Sequence, residues 1–362
     1  MLSVTAAAVA VAGAALSAFS RRTARRIEAA VPMDGQLVDI GGDRIHYVDR
    51  GEGPPIVFVH GLSGQMRNFA WLPIEELARH HRVILIDRPG TGYSTRGAQS
   101  AANVYAQAEA VVRFCDVLGL EKPVLVGHSL GGAIALAVAL NHPQAVSRLA
   151  LIAPLTHVQT EVPKAFRALV IRSDFIRRLV AHTLATPVAL ATSSAVLKQV
   201  FAPEAVPPDF PLRGGGMLSL RPQGFLGASE DLIAVEEAGD LAEMEQRYVQ
   251  LEVDTDVLFG RDDIVLDWIR HGDALRRRSK RVALKVIDGG HMLPVTAPRA
   301  TAEWLRAVIA GSTERGANAS AIGDAVDGIS AADPAEATVM PLRRARPESR
   351  SRSSFNKGRQ LT

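Results

Sequence analysis

The feature that most restricts the fold of this chain is the short stretch Val126-Gly127-His128-Ser129-Leu130-Gly131-Gly132. It stands between an apolar run, Pro123 to Val126, and an alanine-rich helical pattern, Leu130 to Asn141. A strand that turns straight into a helix brings the two backbones closer than a Cβ allows, which explains Gly127 and Gly131 on either side of the serine. Such a turn holds Ser129 in a strained backbone conformation and pushes its hydroxyl into the open. The amino terminus of the following helix adds partial positive charge where negative charge would develop. A turn of this kind needs a strand with a helix behind it, so it commits this part of the chain to a βα unit. The alternative, a glycine-rich turn with no chemistry, leaves the motifs below unaccounted for.

Around this turn, apolar runs and helical patterns alternate. Pro55–Val59, Arg82–Ile86, Pro123–Val126, Leu149–Ile152, Val257–Phe259 and Val282–Ile287 are mostly continuous apolar runs. That pattern suits strands covered on both faces, as in a parallel sheet. Helical patterns occupy about Asn103 to Leu118, Leu130 to Asn141 and Pro298 to Ile309. Gln36–Ile40 and Arg44–Val48 alternate about Gly41-Gly42-Asp43, a hairpin signal. The expected architecture is a mixed α/β sheet with an antiparallel lead-in. Leu155 to Tyr248 has helical patterns and no convincing strand. It reads as a helical cap, residues 155–248, inserted between core segments 35–154 and 249–311.

Three further motifs sit at strand ends. His60-Gly61-Leu62-Ser63-Gly64 follows Phe58-Val59. A tetrahedral intermediate needs two preorganised N–H donors, and the backbone N–H groups of Leu62 and Leu130 are the candidates. The His60 side chain reads as support for the Gly61 turn. Phe259-Gly260-Arg261-Asp262-Asp263 and Asp288-Gly289-Gly290-His291 both follow apolar runs. Asp263 and His291 can therefore reach the carboxyl edge of one sheet, where open α/β sheets carry their ligand sites. In that arrangement His291 would take the Ser129 proton, and Asp263 would orient the imidazole and stabilise its cation. Of the other histidines, His128 is expected to face away from the nucleophile. His142 ends a helix, and His157 and His182 fall in the cap.

With these residues in place, the chain resembles the α/β-hydrolase superfamily over about Gly35 to Gly311. The motifs that carry the resemblance are HGLSG (His60 to Gly64), DRPGTGYS (Asp87 to Ser94), GHSLGG (Gly127 to Gly132), FGRDD (Phe259 to Asp263) and GGHM (Gly289 to Met292). The resemblance implies a mostly parallel eight-stranded sheet flanked by helices, with a helical cap. It also implies a Ser129, Asp263, His291 triad in that chain order, with Asp262 the alternative acid. Some members carry the acid after the sixth strand, but Ala153-Pro154-Leu155 offers no carboxylate there. Ser129 and Ser63 stand where related epoxide hydrolases have aspartate and proline, so alkyl-enzyme chemistry is not expected. Asp87 and Ser94 read as turn-closing residues. The expected activity is hydrolysis of a carboxylic ester through an acyl-enzyme on Ser129. Cleavage of a C–C, amide or lactone bond by the same triad is the alternative, and a non-catalytic binding protein of the same fold a third.

The two ends differ from the middle. Leu2 to Phe19 carries no charge and as a helix would span about 27 Å at ~1.5 Å per residue, close to a hydrocarbon core. Arg21, Arg22, Arg25 and Arg26 follow it. A cleavable signal peptide carries its positive charge before the apolar stretch. Residues 1–20 are therefore read as a membrane anchor in contact with lipid, residues 21–34 as a basic linker, and the catalytic domain as cytoplasmic. A signal peptide, or a helix packed on protein, are the other readings. Some membrane-anchored members of the resembled family are monoacylglycerol lipases with an amino-terminal helix and a similar HG-x-S turn, which makes a lipid-like acyl ester the expected small-molecule substrate. Residues 312–362 lose apolar periodicity and gather arginines, the composition of a disordered basic tail.

Net charge is only +3, which does not argue for nucleic acid, and the single cysteine, Cys115, excludes an internal disulfide. No His and Cys cluster has metal-ligand spacing and no nucleotide-binding glycine loop is present, so neither metal nor cofactor is expected.

Overall fold

In a computed structural model that describes residues 2–311, with side chains from residue 6, the centre is one eight-stranded sheet. Its strands are β1 (Gln36–Asp39), β2 (Arg44–Arg50), β3 (Pro55–Val59), β4 (Arg82–Ile86), β5 (Val124–His128), β6 (Arg148–Ile152), β7 (Thr255–Gly260) and β8 (Val282–Ile287). They lie in the order β1-β2-β4-β3-β5-β6-β7-β8. The β1/β2 and β2/β4 pairs are antiparallel, and every pair from β4/β3 to β7/β8 is parallel. This is the mixed sheet with an antiparallel lead-in that the hydrophobic runs predict.

Alternation along the strands fills two cores. Val57, Val59, Ile84, Leu125, Leu149 and Val257 face one layer, and Ile56, Phe58, Val83, Val126, Ala150 and Leu258 face the other. Before the sheet comes α1 (Leu2–Ala30). Within the first core segment lie α2 (Ile74–Leu77), α3 (Val104–Val117) and α4 (Leu130–Asn141). Ten of the twelve α4 residues are buried, because α4 is covered by the sheet on one side and by other helices on the other. Cys115 on α3 is a packed thiol, its pKa pushed by burial up to about 12.

Residues 155–248 carry α5 (Asp174–Val180), α6 (Thr186–Phe201), α7 (Phe210–Arg213), α8 (Pro222–Glu237) and α9 (Asp240–Arg247), with no strand. A π-helical turn, Ala181–Ala185, joins α5 to α6 into one helical stretch. The remaining core helices are α10 (Ala274–Arg278), α11 (Leu293–Thr296) and α12 (Pro298–Ile309).

At the amino terminus, the segment read as a basic linker continues α1 to Ala30. The cause is tertiary. Ile27 and Val31 bury against Leu218 of the cap, Glu28 pairs with Arg221 at 2.8 Å, and Ser17 and Ser20 donate to the carbonyls of His182 and Thr183. The tail expected beyond residue 311 lies outside the described residues.

Candidate functional site

Ser129 follows β5 and opens α4 with φ 55° and ψ −119°, the strained conformation that the flanking glycines anticipate. A Cβ added at Gly131 would stand 2.1 Å from the Val59 carbonyl oxygen, so the helix can approach β3 only with glycine there. The turn is clamped from both sides: the Ser129 N–H donates to Ile152 O at 3.0 Å, and its carbonyl accepts from Gly132 and Leu155. Ser129 remains only half-buried, with its side chain on a cavity.

Asp263 and His291, the candidate acid and base, follow the ends of β7 and β8. Arg261 N–H donates to Ile287 O at 2.8 Å and Asp262 N–H to Gly289 O at 2.9 Å, which holds the two loops together. Asp263 is buried; its Oδ1 accepts from the N–H groups of Val265 and Leu266, and its Oδ2 lies 2.7 Å from His291 Nδ1. Asp262, the alternative acid, is exposed. A carboxylate can only accept, so the His291 proton sits on Nδ1 and Nε2 is left as the basic nitrogen. Ser129 and His291 line the same cavity, without a direct hydrogen bond between them. Such bonds often tighten only when substrate is bound.

His128 corrects one expectation. Rather than facing away, its ring lies 5.0 Å from that of His291, and its Nε2 donates to the His291 carbonyl at 3.1 Å. Burial, and then the neighbouring His291, lower its pKa to about 3, so it stays neutral and keeps Nε2–H as a donor. From the cap, Glu204 accepts from the Gly290 N–H at 3.0 Å, a second brace on the histidine loop. No spacing signal marks Glu204 in the sequence.

The turn after β3 carries Leu62, one of the two candidate N–H donors. The Gly64 N–H bonds Gly61 O at 3.2 Å, and Ser63 takes φ 54°. Gly61 packs so closely on Ser129 that an added Cβ would meet its Cβ at 2.9 Å. The N–H groups of Leu62 and Leu130 donate to no acceptor among the described residues, which leaves both for a ligand oxygen. His60 is fully buried and holds the turn through Nδ1 to Gly61 O at 2.9 Å. Burial, and then the charge of Arg88, lower its pKa to about 3. Arg88 is fully buried too; it donates to the carbonyls of His60 and Gly61, each at 2.9 Å, and to Asp231 of α8 at 2.7 Å. The His60–Gly64 turn is thereby tied to the cap. Asp87 and Ser94 act as turn-closing residues: Asp87 accepts from the Met66 and Tyr93 N–H groups and from His46, and Ser94 Oγ donates to Asp87 O.

A cavity of about 440 Å³ runs from Ser129 and His291 under the cap, walled largely by apolar side chains including Leu184, Val188, Val196, Phe201 and Phe225. A second cavity of about 490 Å³ meets Ser129 and Leu62 from the other side and includes Gln159, Glu161, Arg172 and Glu236. Neither His157 nor His182 lines the first; His157 meets the rings of Tyr248 and His271 edge to face. Among the described residues, no group of three or more His, Cys, Asp or Glu is placed to hold a metal ion.

Residues 54–298, well over half of the chain, match the model of the alpha/beta hydrolase fold family. The chain belongs to that family. Among curated relatives, it is 39% identical over 123 residues to a 2-hydroxymuconate semialdehyde hydrolase of Pseudomonas sp. (strain CF600), covering 33% of this chain and 44% of that one. It is 37% identical over 109 residues to a protein of Agrobacterium fabrum named as a carbamate hydrolase, covering 30% and 41%. This α/β-hydrolase spans between about a third and a half of the length of the curated relatives it matches. Among solved structures, it resembles a membrane phospholipase A described as a bacterial virulence factor, with TM-score 0.60 and 25% identity over 86% of this chain and 96% of the other. It also shares its fold with the enol-lactonase of Burkholderia xenovorans LB400, with TM-score 0.62 and 19% identity over 76% and 100%.

Proposed function

We propose that this α/β-hydrolase is a serine hydrolase that cleaves a carboxylic ester of a lipid-like acyl group. One observation carries the reading: Ser129 and the imidazole of the Asp263–His291 pair, both at the carboxyl edge of the sheet, line one predominantly apolar cavity. Ser129 Oγ attacks the ester carbonyl as His291 Nε2 takes its proton. The oxyanion lies against the N–H groups of Leu62 and Leu130, each such donor contributing ~3–4 kcal/mol in comparable sites. His291 returns the proton to the departing alcohol. Water then attacks the acyl-enzyme with the same base, releasing the acid and restoring Ser129. The predominantly apolar wall favours an acyl chain over a charged group.

The anchor belongs to the same reading. Residues 2–19 insert in a bilayer, with the catalytic domain on the cytoplasmic side where Arg21, Arg22, Arg25 and Arg26 stay. Val9 and Val11 are 69% and 70% exposed, apolar surface left uncovered by the described residues.

Incubating detergent-solubilised protein with a fluorophosphonate probe tests the nucleophile. Wild type labels and Ser129→Ala does not; equal labelling of both defeats the reading. Relatives named as semialdehyde and carbamate hydrolases keep C–C and amide-type cleavage as a second reading on the same triad. A series of aryl esters of rising chain length separates the two: rates that climb with chain length support the lipid-like ester, and trivial rates throughout support the other.

A further inference from the structure

We propose that the cap face formed by α5, the π-helical turn and the start of α6 rests on the same bilayer that holds α1, so that acyl substrate enters the cavity directly from lipid. This rests on the reading of α1 as an anchor.

The first observation is an apolar surface in one place. Phe175 is 76% exposed, Ile176 50%, Leu179 54%, Leu184 47% and Val188 51%. They come from one continuous helical stretch, Asp174–Phe201, long and apolar enough to cross a membrane by length and composition, of which only 17% is buried in its most apolar window. Yet this stretch walls the cavity through Val180, Leu184 and Val188, so it cannot leave the cap to span a bilayer without opening the site. Lying on the membrane satisfies both facts. Soluble monomers rarely leave contiguous apolar surface of this kind in water.

The second observation is where α1 leaves the protein. Ser17 Oγ donates to His182 O at 3.1 Å and Ser20 Oγ to Thr183 O at 3.2 Å. These carbonyls belong to the π-helical turn that contains Leu184 and follows Leu179 on α5. Above this attachment about 15 residues of α1 project, roughly 22 Å of helix. A bilayer that takes up this length reaches the protein at the level of the π-helical turn, which is the level of the exposed apolar residues.

Charge gives the third. Arg21, Arg22, Arg25 and Arg26 are exposed, and none has an ion-pair partner among the described residues. They lie on α1 just past its attachment, at the height of lipid head groups, and complement anionic lipid. Finally, Leu184 and Val188 are about half exposed while also lining the cavity, so the apolar face and the cavity mouth are the same surface.

The test places single cysteines at Phe175, Leu179, Val9 and, as a reference, Val117 in the full chain. Val117 is 53% exposed at the end of α3 that leads into β5, on the sheet edge opposite the cap. The native Cys115 is buried and does not compete for label. A polarity-sensitive fluorophore is read in vesicles of phosphatidylcholine with brominated acyl chains, with and without phosphatidylglycerol. Labels at 175 and 179 are expected to be quenched several-fold more than the label at 117, and more strongly with the anionic lipid. If the label at 9 is quenched but those at 175 and 179 match 117, this proposal falls and the anchor stands. If the label at 9 is not quenched either, both fall. Shielding at 175 and 179 that depends on protein density and not on brominated lipid assigns the face to a second copy of the chain and overturns the proposal. A second arm uses Phe175→Asp with Leu179→Asp, residues outside the cavity wall. Turnover of a vesicle-borne ester drops about tenfold or more while that of a water-soluble ester is unchanged. Equal rates on both substrates overturn the proposal. If wild type turns over neither ester, the hydrolase reading fails while the quenching result still decides this one.

Discussion

Replacing Asp231 by asparagine removes one charge from a fully buried site. Asp231 is fully buried on α8 and accepts from Arg88, which is fully buried as well, and from Arg96 and Gln107. Arg96 keeps Glu230 at 3.0 Å and the Pro89 carbonyl. Arg88 keeps only neutral acceptors, the His60 and Gly61 carbonyls and Gln107. A buried cation stripped of its counter-charge costs about 3–5 kcal/mol. At roughly 2–4 °C per kcal/mol, that lowers Tm by about 6–20 °C. Because Arg88 also holds the carbonyls of the oxyanion turn, kcat on a soluble ester falls as well, by up to about a hundredfold if the turn moves by an ångström. Differential scanning fluorimetry and steady-state kinetics on detergent-solubilised protein read both quantities. Adding Arg88→Met to Asp231→Asn removes the orphaned charge and recovers part of the Tm, though not the kcat. A Tm for Asp231→Asn within about 2 °C of wild type would refute the argument that this ion pair couples cap and turn.

Asp263→Asn keeps an acceptor for Val265 and Leu266 but turns an amide donor toward His291 Nδ1; the proton moves to Nε2, and kcat drops about 10⁴-fold at unchanged Tm, the size seen in other serine triads. A kcat within tenfold of wild type means Asp263 does not set the tautomer. Gly131→Ala forces a Cβ into the Val59 carbonyl, costing about 1–3 kcal/mol or more and slowing fluorophosphonate labelling; wild-type Tm and labelling rate would show that α4 can shift. His60, His128 and His271, each buried and lowered to about 3, make stability depend on pH on the acid side. The unfolded chain binds these three protons near pH 6.5 and the folded chain does not, so stability falls as pH drops from 6.5 toward 3, by about 2 kcal/mol per histidine at pH 5. His46 has the opposite sign: burial alone would lower its pKa, but the Asp87 hydrogen bond and charge outweigh this and raise it, and its contribution is complete below pH 6.5. Urea unfolding at pH 7 and pH 5 measures the difference, and equal midpoints reject it.

Much of this was legible in the sequence because it is local. Pro55–Val59, Arg82–Ile86 and Val282–Ile287 are strands over the residues their apolar runs mark, and Leu130–Asn141 and Pro298–Ile309 are helices over theirs. Strand and helix periods are properties of neighbouring residues, and a serine between two glycines at their junction is a backbone constraint written in three positions. The mixed α/β sheet and the strand-end positions of Ser129, Asp263 and His291 follow from such constraints; the choice of Asp263 over Asp262 comes from the family resemblance of the motifs. Only the tertiary structure decided the rest, because it depends on which distant side chains meet. Residues 21–34 have the composition of a solvated linker, yet Ile27, Val31 and Glu28 find partners on the cap and the helix runs on to Ala30. His128 reads as a bystander until β8 sets His291 above it. Arg88 and Asp231 are 143 residues apart and Glu204 and Gly290 are 86 apart; no periodicity connects them, since a buried charge selects its partner by proximity in the fold rather than by distance along the chain.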